Sequence, residues 1–284
     1  MRFQVVVIEP VGYQHSGVLA EVAETLVCGF RALGHPSRLV VNGFSTEALN
    51  IVLGAHLLSA ESIASLPGDC VIYNLEQVEE SLFQWAPQLK ALFARFEVWD
   101  YSRRNIAALT AAGLAPRIHH LPIGMVPELS RIKPAAKQDI DVLFYGAAND
   151  RRKVVLKAIA ESGLALKAVF GAYGTARDAL IARAKVVLNL HKHEAQVFEI
   201  VRVSYLLANR KAVVSEISPA TEIEPDLADA VAGAPYEGLA EACRRLVADN
   251  SARRRLERRG FERMSARREA DFLKALLAFR RHPE

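Results

Sequence analysis

A chain of 284 residues, 51% hydrophobic and 24% charged, can bury a full core over one or two domains and is too apolar to stay disordered over most of its length. No apolar stretch reaches the roughly 18 to 20 residues that span a bilayer, and the apolar run behind Met1-Arg2-Phe3-Gln4 is too short for a signal-peptide core; a cytoplasmic protein is expected. The formal net charge of +4 is small but unevenly placed, because Arg244, Arg245, Arg253, Arg254, Arg255, Arg258, Arg259, Arg263, Arg267 and Arg268 crowd one segment.

That segment suits a polyanion, peripheral contact with an anionic membrane, or plain water. Leu246, Leu256, Phe261 and Met264 give it an apolar side, which favours a solvated helix face. Cys28, Cys70 and Cys243 form no CxxC pair, so neither a disulfide framework nor a cysteine zinc site is implied.

In chain order, residues 5–8 form a β-branched run that reads as a buried strand, followed by a loop with Pro10, Gly12 and Gly17. Helical spacing over 18–33 stops at Gly34. Strands are expected at 38–41, 50–53, 70–74, 96–100 and 118–121, most of them separated by helices. A proline-containing, aperiodic stretch from about 125 to 138 reads as a linker. The alternation then restarts with strands at 141–145, 166–170, 186–190 and 211–215 and helices near 151–162, 175–184 and 197–207, with helices to the end. This is an α/β pattern of two Rossmann-like domains whose parallel sheets face a central cleft. The expected boundaries are 1–124, 125–265 and a last segment 266–284. Phe272, Leu273, Leu276, Leu277 and Phe279 recur there at helical spacing, so it needs a surface to cover it.

The chemistry is expected at strand ends. Gly146, Asn149, Arg151 and Arg152 lead from a strand into a helix, where backbone N–H groups and added cations favour a phosphate; a solvated helix start explains the same residues. Gly171 and Tyr173 close the next strand, either as a ligand-stacking loop or as an ordinary turn. His191 and His193 alternate along extended chain, as a metal pair would, but no third ligand accompanies them; a histidine beside an anionic or sugar ligand is the simpler account, and no metal is expected. Glu199 stands at a helix start, where it would accept hydrogen bonds from ribose hydroxyls, and Arg202 lies one turn on. A local Glu199–Arg202 ion pair is the plain alternative. In the first half His15, Glu76 and Asp100 are candidate bases at strand ends, each equally a loop or capping residue.

The run 141–216 resembles the donor-binding half of GT-B glycosyltransferases, especially the bacterial "glycosyltransferase group 1"-like proteins. The resemblance rests on Phe144-Tyr145-Gly146 with Arg151 and Arg152 downstream, on Val186-Val187-Leu188-Asn189, on Phe198-Glu199 with Tyr205-Leu206-Leu207-Ala208-Asn209, and on Ala212-Val213-Val214-Ser215-Glu216. The first half resembles the acceptor domain more loosely, through residues 5–17 and Pro122-Ile123-Gly124-Met125. Three features depart from the family pattern: Glu199 lacks a partner glutamate in the usual place, Asn209-Arg210-Lys211 stands where Gly-Pro is usual, and the usual Arg plus Lys pair for the diphosphate is not clean.

The resemblance implies an acceptor domain, a nucleotide-sugar domain and a C-terminal helix crossing back to the first domain. It also implies transfer of a hexosyl or related sugar without metal or cofactor. Glu199 would hold the ribose, and Arg151 or Arg152 the diphosphate. The acceptor is left open among glycan, lipid, protein and small molecule. Two alternatives stand beside this reading: another α/β nucleotide enzyme such as a sugar-nucleotide epimerase, and a non-enzymatic binding protein. Gly12 and Gly17 do not form GxGxxG, which argues against a dinucleotide oxidoreductase, and no aromatic-interleaved basic patch suggests nucleic acid.

Overall fold

Runs of Val, Ile, Leu and Phe bounded by loops build two parallel sheets, as expected of strands buried on both faces. The computed structural model describes residues 1–79, 83–84, 86–147, 149–192 and 197–281. The chain divides into two units, Met1–Val126 with the segment that begins at Arg268, and Pro127–Arg267.

In the first unit, strands β1 (Phe3–Val7), β2 (Ser37–Val41), β3 (Leu49–Leu53), β4 (Cys70–Asn74), β5 (Glu97–Asp100) and β6 (Ile118–His120) lie in the order β2-β1-β3-β4-β5-β6. Helices α1 (Ala20–Ala32), α2 (Ala60–Ala64), α3 (Gln88–Arg95) and α4 (Arg103–Ala111) connect them. A 3-10 turn over Gln14–Leu19 precedes α1, so the α-helix starts two residues later than its apolar spacing suggests. Val6, Val52, Ile72 and Val98 form one core with Leu92, Phe93 and Leu109. Elsewhere in the unit the Phe3 and Phe30 rings stack at 3.8 Å.

The second unit holds β7 (Ile140–Tyr145), α5 (Asp150–Glu161), β8 (Leu166–Val169), α6 (Gly174–Arg183), β9 (Ala184–Asn189), α7 (Ile200–Ala208), β10 (Ala212–Glu216), β11 (Ala232–Ala234), α8 (Leu239–Ala248) and α9 (Asn250–Ala266). Its sheet order is β11-β10-β9-β7-β8. The chain leaves β7 toward β8 and returns to the other side at β9, so the crevice of this topology opens at the carboxyl ends of β7 and β9.

The apolar spacing suggests that α7 begins at 197, but Val197 bridges to Glu222 and the Phe198 amide donates to the Glu222 carbonyl. Those bonds hold 197–198 extended and leave Glu199 as the N-cap residue. Asn209 clamps the segment after residue 126: its Nδ2 donates to the Leu129 carbonyl, and its Oδ1 accepts from the amides of Arg131 and Ile132.

The arginine-rich segment answers its own charge. Arg263 and Arg259 both contact Asp229, Arg254 pairs with Glu257, Arg244 with Glu241, and the buried Arg267 with Glu224 and Asp226. Capture of Arg267 coincides with the break between α9 and the last helix, α10 (Glu269–Arg281). Helix α10 belongs to the first unit. Its buried Glu269 accepts from the Gly124 amide at 2.8 Å, and a Cβ on Gly29 of α1 would meet Glu269 Cγ and Leu273 Cδ1 at 2.8 Å. Among the described residues no helix is long and apolar enough to cross a membrane.

Candidate functional site

The crevice of the second unit is lined from three strand ends. After β7 comes Gly146, whose φ of +147° disfavours any side chain and whose Cβ would stand 3.4 Å from Arg202 Nη2 and 3.6 Å from Arg152 Nη1. Asn149 then caps α5, its Oδ1 accepting from the Arg152 amide at 3.0 Å while Nδ2 donates to the Lys192 carbonyl at 2.6 Å. This joins the β7 loop to the β9 loop and sets the first amides of α5 at the crevice, where the helix dipole favours an anion.

The two arginines of α5 do different work. Arg152, buried in the wall, donates from Nε and Nη2 to the Leu190 carbonyl and from Nη1 to the Ala147 carbonyl. Burial lowers its pKa, Arg202 and Arg151 lower it further, and Glu199 opposes them. Arg151 reaches across to Glu216 at the end of β10, with two hydrogen bonds to its carboxylate, and donates to the His191 carbonyl at 3.1 Å. Its guanidinium lies 4.2 Å over the Tyr236 ring, and the Tyr236 hydroxyl donates to the Arg151 carbonyl.

Glu199 sits among three nitrogen bases: Arg202 at 3.1 Å, His191 Nδ1 at 3.5 Å and Arg152 at 3.7 Å. Burial raises its pKa, but the charges of Arg202, His191 and Arg152 outweigh that effect and hold the carboxyl below its ordinary value. At an effective dielectric near 20, one opposite charge at 4 Å contributes about 4 kcal/mol, so two or three suffice against a partly desolvated carboxylate. Arg202 also donates to Asn189 Oδ1 at 3.3 Å, and Asn189 donates to Ser215 Oγ. The result is three guanidinium groups against two carboxylates around a half-buried glycine turn, a positive setting for a polyanion.

Of the residues singled out in sequence, Gly146, Asn149, Arg151, Arg152, His191, Glu199 and Arg202 come together. Gly171 (φ +71°, open space where a Cβ would stand) and Tyr173, the N-cap residue of α6, lie at the end of β8, one strand over. His193 and Glu194 lie outside the described residues, and among the described residues no three His, Cys, Asp or Glu side chains are grouped to hold a metal. Glu216 and Tyr236 were not foreseen. The only sequence hint was an acid ending a strand, and its link to Arg151 depends on strand order.

In the first unit, Asp100 is fully buried, accepting from Asn74 Nδ2 at 2.6 Å, the Ser102 amide at 2.8 Å and Asn105 Nδ2 at 3.0 Å. The N-cap of α4 is Ser102 itself, which accepts from the Asn105 amide; Asp100 stands behind the cap. Glu76 is 38% exposed with Oε1 3.7 Å from His56 Nδ1. Burial lowers the His56 pKa and the Glu76 charge raises it, with burial winning. His15 meets the Tyr13 ring edge-on at 5.3 Å. His56 was not foreseen either; Gly54, in the left-handed region at φ +77°, turns it in behind β3.

No family model matches the chain. It is 24% identical over 163 residues, and 25% identical over 154 residues, to two uncharacterised proteins of Acanthamoeba polyphaga mimivirus; these matches take in 57% and 52% of the chain but only 22% and 49% of those proteins. The chain thus spans less than half the length of the curated relatives it matches. Solved structures align over nearly its whole length. Anabaena HepE with UDP and glucose superposes at TM-score 0.62 and 12% identity, covering 98% of this chain and 100% of HepE. A Rickettsia africae glycosyltransferase gives 0.60 at 8%, covering 99% and 98%. T4 phage BGT with its UDP-glucose substrate gives 0.59 at 10%, covering 98% and 99%. The chain has the GT-B fold. Within that fold the residue cluster described above belongs to the carboxyl edge of the second Rossmann-like unit, at its topological switch point.

Proposed function

We propose that this GT-B chain is a glycosyltransferase that binds a nucleotide sugar on its second unit and moves the sugar to an acceptor hydroxyl. The observation that carries the reading is the ionised Glu199 held by Arg202, His191 and Arg152 beside the Gly146 turn and the start of α5. The presence of UDP or UDP-glucose in the HepE and T4 phage structures supports it.

In this reading Glu199 accepts hydrogen bonds from the ribose hydroxyls, and the diphosphate lies over Gly146 and the first amides of α5. Arg202 and Arg151 take the charge that develops on the departing nucleoside diphosphate, the logic of an oxyanion hole. Arg152 positions the loop from within. Arg151 must loosen from Glu216 to reach the phosphates, so Glu216 both places the arginine and sets the cost of its use. The acceptor side is assigned to the first unit. There Glu76 with His56 is the strand-end pair best placed to take a hydroxyl proton, His15 flanks the loop after β1, and Asp100 acts as a positioning residue through Asn74 and Asn105.

The deciding experiment is calorimetry with nucleoside diphosphates, followed by a donor-hydrolysis assay on the best nucleotide sugar. Binding that survives Glu199→Ala and Arg202→Ala unchanged would remove this site from the reading.

A further inference from the structure

A cavity of about 600 Å³ lies at the opposite, amino-terminal edge of the six-stranded sheet, within the roughly 300–1,000 Å³ range of small-molecule pockets. Met1 and His35 reach it from ahead of β1 and β2, Glu97 and Ile118 from the first residues of β5 and β6, and Arg117 from just before β6. The last turns of α10 supply Phe279 and Arg280. Ligands of parallel α/β sheets gather at the carboxyl edge, so this cavity has no part in the chemistry proposed above.

Its lining combines cations with a bare aromatic ring. Glu97 is already engaged: Oε1 accepts from Trp99 Nε1 at 2.7 Å, Oε2 accepts from Arg280 Nε at 2.8 Å, and His119 Nε2 stands 3.9 Å away. It anchors the cations in place and leaves little negative charge for the cavity. Arg117 is fixed by a 2.6 Å bond from Nη2 to the Arg95 carbonyl, on an exposed side chain. Phe279 remains 52% exposed, with the His119 ring edge-on at 5.3 Å. A half-bare phenyl beside two guanidinium groups and an imidazole suits a flat apolar body carrying one anionic group.

We propose that this cavity is a second ligand site, for a small aromatic or similarly flat monoanion, and that its occupant ties the end of α10 to the sheet. The test uses the full-length protein with UDP present to fill any nucleotide site, titrated with sodium benzoate and followed by methyl NMR at Met1, Ile118 and Leu277. Benzyl alcohol and inorganic phosphate serve as single-feature controls. Benzoate is expected to shift these methyls saturably, with Arg117→Gln and Phe279→Ala each weakening it at least about tenfold and neither control matching it. Both substitutions fall on side chains with solvent access, so folding should persist; amide spectra check this. The proposal is overturned if benzoate leaves the methyls unmoved at millimolar concentration, if either variant binds as the parent does, or if phosphate alone binds equally well, which would mean an adventitious ion only.

Discussion

Arg151 and Glu216 stand 65 residues apart and meet through two hydrogen bonds, one of them 2.8 Å. Glu216 is buried, and it also accepts from the His191 amide at 3.2 Å, so a single carboxylate links the start of α5 to the loops after β9 and β10. Glu216→Ala strands a partly buried guanidinium and is expected to lower stability by about 3 kcal/mol, the low end for a broken buried pair, because Arg151 retains solvent contact. The double variant with Arg151→Ala should recover part of that loss in urea denaturation. A double-variant loss equal to the sum of the losses of Glu216→Ala and Arg151→Ala alone would show that the pair is not coupled.

Glu199 gives a ligand prediction and a pH prediction. Glu199→Ala should weaken nucleoside diphosphate binding by about 1.5 to 3 kcal/mol, the value of a charge-assisted hydrogen bond, and Glu199→Gln should weaken it less; calorimetry measures both. Its carboxyl is held below the ordinary value by Arg202, His191 and Arg152 against burial. A depressed folded pKa gives stability that is complete above the unfolded value, near 4.5, and lost as the pH falls through the folded one. The stability gap between the parent and Glu199→Gln should therefore be full at pH 7 and narrow as the pH falls below 4.5. A gap that widens in acid would contradict this assignment.

Much of the fold is legible because many of the strands carry a short apolar run, such as Val5-Val6-Val7 in β1, Val142-Leu143-Phe144 in β7 and Val186-Val187-Leu188 in β9. β11 was missed because Ala232-Gly233-Ala234 offers no β-branched residue. The start of α7 is not legible in the same way, because Val197 and Phe198 continue its apolar rhythm and only a bridge to Glu222 reveals them as extended. The capture of Arg267 by Glu224 and Asp226, just past the end of α9, has no such local signal. Local signals exposed Gly146, Arg151, Arg152 and Glu199, each at a strand end or helix start. Glu216 and His56 acquire their roles from which strands are neighbours, and that is set by contacts distant in sequence.

Close helix contacts make a steric prediction. A Cβ on Gly260 of α9 would lie 2.8 Å from Leu207 Cδ2 and 2.9 Å from the Ala230 carbonyl oxygen, and backbone cannot yield as a side-chain tip can. Gly260→Ala should cost about 1 to 3 kcal/mol despite the better helix propensity of alanine. Gly68→Ala, with nothing within 4 Å, should stay within about 0.5 kcal/mol of the parent. Thermal denaturation of the two variants separates packing from propensity, and equal midpoints would refute the contact.

Lys211 is 2% exposed, and its ammonium donates to the Ala184 carbonyl at 2.6 Å. Burial lowers its pKa to about 8, with Glu257 opposing and Arg254 and Arg253 assisting the shift. The unfolded chain therefore binds more protons than the folded one between pH about 8 and 10.5, and linkage makes stability rise with pH across that window. The full excursion, from 10.5 to about 8, corresponds to about 3 kcal/mol at 1.36 kcal/mol per unit. Lys211→Met removes the buried charge, while the Ala184 carbonyl keeps the hydrogen bond from Gln138 Nε2 at 3.0 Å, so at pH 7 the loss of one hydrogen bond, about 0.5 to 1.5 kcal/mol, offsets only part of the gain. The discriminating quantity is the slope. Urea denaturation of the parent should show a gain between pH 8 and 10 that Lys211→Met lacks, because other groups titrating in that range contribute equally to both proteins and cancel in the difference. Parallel curves would mean that Lys211 keeps the same proton affinity folded and unfolded.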